Sequence, residues 1–140
     1  MRYVFPAVLA QDEDGRWIVT FPDVSEALTD GADRDEALRE AVDTLGAALA
    51  GYVHERREVP VPTPPKPGQV SVCVPPLVAA KLALYRAMRE QGVSNVELAR
   101  RLGITEAVVR RLVDPDHSSK IEKVEAALET LGKRLIVEAA

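Results

Sequence analysis

With 140 residues, 46% of them apolar and 29% charged, the chain can fill one ordinary domain or two small ones and is too rich in core-forming residues to be disordered. A formal net charge of −4 excludes a uniformly basic protein, and no apolar run nears the roughly 20 residues that cross a bilayer, so no membrane partner is expected. Cys73 is the single cysteine, which excludes an internal disulfide, suits a reducing cytoplasm and reads as a small buried strand residue.

The opening MRYVFPAVLAQDEDG lacks the apolar length and the small-residue cleavage site of a signal peptide. Within it RYVFPAVL sets Tyr3, Phe5, Ala7 and Leu9 on one side, the period-2 pattern of a strand. QDEDG turns the chain into RWIVTF, a second strand rich in β-formers, and SEALTDG predicts a short third one. Asp33, three residues before Glu36, opens a long helix with a capping box. Leu38, Ala41, Val42, Leu45, Leu49, Tyr52 and Val53 then recur at helical spacing and predict one apolar stripe laid over the sheet. Val59 and Val61 suggest an edge strand, where prolines are tolerated.

EVPVPTPPKPG, residues 58–68, holds five of the ten prolines. Fixed φ and missing N–H groups favour extended polyproline geometry, so this stretch reads as a semi-rigid spacer. Charge divides there: residues 1–68 carry 7 Lys/Arg against 13 Asp/Glu, and residues 69–140 carry 11 against 9, so −6 precedes the prolines and +2 follows them.

Beyond the spacer, VSVCV is a strand candidate, and Pro76 can take the first position of a helix running to about Glu90. Ser94 and Glu97 form a capping box for a short helix to about Leu102, broken by Gly103; Thr105 caps the next, to about Val113. DPDH turns the chain, and Ser119 with Glu122 predicts a third box before a helix that stops at Gly132. KRLIVEA closes as a strand whose natural partner is VSVCV. The expected architecture is an α+β N-terminal domain (1–62), a small antiparallel sheet covered by one long helix. A Pro-rich linker (63–69) joins it to a mainly α domain (70–140) with flanking strands.

The pattern that carries chemistry lies in ELARRLGITEAVVRRL, residues 97–112. Ala99 is small enough for close helix approach, Gly103 permits a sharp turn, and Ile104, Val109 and Leu112 fill the wedge, with Leu98 and Leu102 flanking. This is the spacing of a helix-turn-helix, whose second helix enters the major groove. On that helix Glu106, Ala107, Arg110 and Arg111 share the exposed side, and Thr105 serves as cap or backbone contact. Arg100 and Arg101 are weaker candidates for phosphate. The plain alternative is a solvated basic face on a core helical pair. A half of charge +2 binds DNA weakly as one copy, so a homodimer is expected, with VSVCV and KRLIVEA pairing across the two-fold. Tetramers of such dimers stay open.

The acidic half invites a metal-nuclease reading, but Asp12, Glu13, Asp14, Asp23, Asp30, Asp33 and Asp35 fall mostly in turns or at a helix cap, and the first strand has no carboxylate. His54 and His117 are single and far apart, and no Gly-rich phosphate loop exists. Neither catalysis, a metal nor a cofactor is expected. An acidic surface that docks a basic protein is the sharper reading.

Taken together, TFPDVSEALTDGADRDEALREAVDTL, VPPLVAAKLALYRAM and ELARRLGITEAVVRRLVDPDHSSKIEKVEAALETLGKRL resemble the HicB family of antitoxins over nearly the whole chain. The resemblance implies a first domain like a degenerate ribonuclease H fold without catalysis, neutralising a small basic HicA-type ribonuclease that cuts messenger RNA. It implies a second, helix-turn-helix domain that dimerises and represses the operon, in the cytoplasm. The family's DNA-reading positions fall on Thr105, Glu106, Ala107, Arg110 and Arg111. The toxin-facing surface is placed at Asp12, Asp14, Asp23 and Glu26. Ser25-Glu26-Ala27 departs from the small residues common in the family after FPD. The alternative from another class is a stand-alone repressor whose acidic domain senses a ligand.

Overall fold

Alternation in the first twenty residues builds a hairpin. In the computed structural model, which describes residues 1–140, β1 (Val4–Gln11) and β2 (Trp17–Thr20) pair antiparallel, with Leu9 opposite Val19 and Gln11 opposite Trp17. β3 (Leu28–Gly31) adds to β2, and β4 (Val70–Cys73) pairs antiparallel with β1, Phe5 opposite Val72. The sheet order is β3-β2-β1-β4. Because side chains alternate, this register puts Phe5, Ala7, Val19 and Val72 on the buried face.

The long helix α1 (Arg34–His54) starts at the expected capping box, in which Asp33 Oδ1 accepts from Glu36 N at 2.8 Å and Glu36 Oε2 accepts from Ala32 N at 3.0 Å. Ala37, Ala41, Leu45 and Leu49 are fully buried, so the stripe centres on them, with Leu38 and Val42 at its margin. At Gly31 a Cβ would lie 2.4 Å from Ala37 N, so only glycine lets β3 end this close to the first turn of α1.

The chain forms two compact units, one of residues Met1–Tyr52 and Pro60–Pro75, the other of Val53–Val59 and Pro76–Ala140. Three expected strand placements are therefore corrected. VSVCV does not flank the second unit but closes the sheet of the first, which includes Pro60–Pro75. KRLIVEA forms no strand and leaves Ile136 and Val137 exposed. Val59 and Val61 form none either, because prolines at 60 and 62 remove the donors that a ladder needs. The proline segment is instead held by Thr63, whose N and Oγ1 donate to the Asp23 carboxylate at 2.9–3.0 Å. Cys73 is exposed, not buried, since pairing with Val4 turns it to the face opposite Val72.

The second unit contains α2 (Pro76–Gln91), α3 (Asn95–Leu102), α4 (Glu106–Val113) and α5 (Ile121–Thr130). Leu82, Leu84, Leu98, Val109 and Val124 are fully buried and mark its core. The segment after α1 is tied to α2, where Tyr85 donates its hydroxyl to Arg57 O at 2.7 Å. No helix of the chain is long and apolar enough to cross a membrane.

Candidate nucleic-acid interface

Neither α3 nor α4 is long enough to be stable alone, since isolated helices below about 12–15 residues are marginal. Their ends and their packing must fix them. Ser94 Oγ accepts from Glu97 N at 3.1 Å and Thr105 Oγ1 accepts from Val108 N at 3.3 Å, each satisfying a free first-turn donor. Gly103, at φ 67°, closes α3 in the left-handed region, and Ile104 N donates back to Ala99 O at 3.1 Å. Ala99 is buried, and Leu98, Val109 and Leu112 fill the angle between the helices. Ile104, expected in that wedge, is 37% exposed.

With Val109, Leu112 and Val113 inward, helical geometry turns Ala107, Arg110 and Arg111 outward. The four arginines of the two helices are not equivalent. Arg100 and Arg101 both donate to Glu97, at 2.6–3.0 Å, and these bonds, Arg100's first, hold the Glu97 carboxyl at about 2. Arg110 donates to Glu106 at 3.0 Å one turn back. Arg111 has no side-chain partner, so it is exposed and uncommitted.

The C-terminal end of α4 is held from α2. Lys81 is the buried charged residue of the chain, and its Nζ donates to the carbonyls of Arg111 (2.9 Å), Asp114 (2.9 Å) and His117 and to Ser119 Oγ (2.8 Å). Burial pushes the Lys81 pKa down, and Asp114 pulls it back up. This use of Ser119 explains why the expected Ser119–Glu122 box does not form; α5 begins after Lys120 with no side-chain cap. His54, the last residue of α1, lies 2.9 Å from Asp114 and 3.4 Å from Asp116, and its hydrogen bond keeps the Asp114 carboxyl below the usual range. Ligand atoms of these three residues lie within 4.8 Å of one another, a set that could take a cation, and the His54–Asp114 hydrogen bond by itself accounts for the closeness. Sequence reading missed it because 60 residues separate His54 from Asp114.

The four acidic residues assigned to a protein partner do not form one cluster. Asp12 and Asp14 lie in the turn before β2, and Asp23 and Glu26 in the loop after it, with a four-residue strand, about 13 Å, between. Three have structural duties. Asp12 Oδ1 accepts from Asp14 N and Arg16 N, both at 2.9 Å; Asp23 clamps Thr63; Glu26 Oε1 accepts the Tyr52 hydroxyl at 2.7 Å. Asp14 has no side-chain partner.

Residues 4–83 match the family profile of HicB-like antitoxins of bacterial toxin–antitoxin systems. The chain is 45% identical over 135 residues to antitoxin HicB 2 of Photorhabdus laumondii, covering 96% of this chain and 94% of that one. It is 41% identical over 137 residues to antitoxin HicB of Pseudomonas fluorescens, with 96% and 94% covered. Against antitoxin HicB of Escherichia coli the identity is 36% over 135 residues, with 96% of each chain covered.

Proposed function

The chain belongs to the HicB-like antitoxin family, and from that premise we propose that it binds and neutralises a HicA-type messenger-RNA-cleaving toxin and represses its own operon as a dimer, in the cytoplasm. The observation that carries the reading is that the relatives, each an antitoxin HicB by name, match across both compact units rather than across one.

Toxin contact belongs to the first unit, which we read as a degenerate ribonuclease H-like fold whose β1 carries no acidic residue to hold a catalytic metal. Its excess of carboxylates suits a basic partner, because complementary charge speeds encounter and rejects like-charged competitors. Asp12, Asp14, Asp23 and Glu26 remain the assigned contacts. Asp14 is the one whose carboxylate is uncommitted, while Asp12, Asp23 and Glu26 act through the loop shapes that they hold.

Operator contact belongs to α3 and α4, read as a helix-turn-helix. Thr105 orients the N-terminus of α4 toward phosphate, Glu106 and Ala107 border the groove floor, and Arg110 and Arg111 reach guanine edges or phosphates. The dimer contact is assigned to the tail after Gly132. Ile136 and Val137 are 79% and 73% exposed there, a cost that a second copy would remove.

Co-expression with a HicA-type toxin, taken from a small open reading frame beside the gene where one is found, followed by affinity purification and a mobility shift on the upstream DNA, tests both arms. A one-to-one complex and a retarded band are expected. Failure of the chain to retain that product, or to relieve its toxicity, refutes the antitoxin arm; absence of a shift at low salt refutes the repressor arm.

A further inference from the structure

A lysine inside a helical core needs a reason, since burying an ammonium without partners carries a heavy desolvation penalty. Lys81 has four oxygen partners, three of them carbonyls that only accept. A neutral amine has two N–H groups and would leave at least one of those three carbonyls without a donor, so this geometry selects the ammonium. The partners share one location. Arg111 O lies in the last turn of α4, Asp114 O is the cap residue's carbonyl, and His117 O and Ser119 Oγ belong to the loop leading to α5. The unpaired carbonyls of a helix end carry partial negative charge, which a buried cation meets directly.

Resting on the reading of α3 and α4 as the DNA-contacting pair, we propose that Lys81 is a positioning residue for operator recognition: from α2 it fixes the C-terminal end of α4 and the loop 114–119, and so sets the angle at which Arg110 and Arg111 are presented. Lys81 itself is buried and touches no phosphate. Thr105 holds the other end of α4, so the helix is pinned at both termini, as an eight-residue helix requires. A reading helix must stay within about 0.5 Å of its working place for base contacts to form, whereas attraction to phosphates tolerates much looser placement.

The test uses full-length chains carrying Lys81→Met, which keeps the shape and removes the donors, and Ser119→Ala, which removes one acceptor and leaves the core intact. Affinity for the DNA upstream of the gene and for a scrambled duplex is measured well below the melting temperature, alongside amide hydrogen exchange. Lys81→Met is expected to lose about tenfold or more in affinity for the upstream DNA, stay within about twofold on the scrambled duplex, and speed exchange at residues 110–119 but not in β1 or β2. Ser119→Ala is expected to lose about threefold, in the same pattern. If a merely structural lysine is at work, the two DNAs weaken equally or the folded variant binds as wild type, and either result overturns the proposal. If Lys81→Met does not fold, Ser119→Ala decides alone. A wild-type chain that does not shift the upstream DNA refutes the operator reading instead; unchanged exchange at 110–119 then still refutes the hold on α4.

Discussion

Replacing Arg111 by alanine separates the DNA reading from a solvated basic face. Arg111 has no side-chain partner, so its truncation breaks nothing inside the free protein, and thermal stability should stay within about 0.5 kcal/mol of wild type, as for surface substitutions generally. A bidentate arginine–guanine pair is worth about 1–3 kcal/mol, and a dimer presents two copies, so operator affinity should fall by about 2–6 kcal/mol per dimer. Arg110→Ala falls in the same range, with Glu106 left unpaired beside the groove. Arg100→Ala and Arg101→Ala leave Glu97 held by the other arginine and should leave operator affinity near that of wild type. Fluorescence anisotropy on the upstream duplex over a salt series distinguishes the roles. Loss of a phosphate contact lowers the salt slope by about one per arginine at every sequence, and loss of a base contact relaxes one position of the site. Wild-type affinity for Arg111→Ala combined with a tenfold loss for Arg100→Ala would refute this ranking and move the contact surface to α3.

Three more outcomes follow from the geometry. Because Glu97 is held at about 2, below its ordinary 4.5, its clamp contributes fully above pH 4.5 and is lost as pH falls through about 2; an NMR titration should find that low midpoint, and Arg100→Ala should raise it. Gly31→Ala should destabilise the first unit by about 1–3 kcal/mol in urea unfolding, because its Cβ would sit 2.4 Å from Ala37 N and backbone must move; an unchanged midpoint would show that β3 and α1 separate freely. A chain ending at Pro75 should retain toxin binding, whereas one ending at Gly68 loses β4, strips the edge of β1 and should aggregate; equal behaviour of the two would contradict the strand assignment.

Local signals were legible. The hairpin turn, the box at Asp33, the caps at Ser94 and Thr105 and the break at Gly103 each depend on residues within a few positions, and each formed, although Glu97 bonds to Arg100 and Arg101 and does not close a box on Ser94. Long-range choices were not. VSVCV alternates equally well for either neighbour, and only the assembled sheet decides that β1 takes it and that Cys73 faces out. Ser119 has capping spacing, but a lysine 38 residues earlier claims its hydroxyl. Lys81 reads in sequence as one more polar position on an amphipathic helix, because nothing local announces four oxygens converging on it. Among the assigned site residues, Arg110 and Arg111 could be placed on an exposed helix face by periodicity alone, while the internal duties of Asp12, Asp23 and Glu26 depend on loop folding.

The pairing of three arginines with glutamates on their own helices bears on specificity. A bare cluster of four cations would bind any duplex, since attraction to phosphate is independent of sequence. Glu97 neutralises part of α3, and Glu106 competes for Arg110 until a stronger acceptor replaces it. An exposed pair of this kind is worth only about 0.3–0.5 kcal/mol, less than a bidentate base contact, so the correct sequence can displace it while a poorly placed phosphate gains little. The modest charge of +2 in residues 69–140 then favours discrimination over raw affinity, and the proposed dimer would restore the affinity by doubling the contacts. On this reading Glu106→Gln should tighten binding to scrambled duplex more than to the operator, narrowing the ratio between them. A wider ratio would assign Glu106 a direct contact to a base instead.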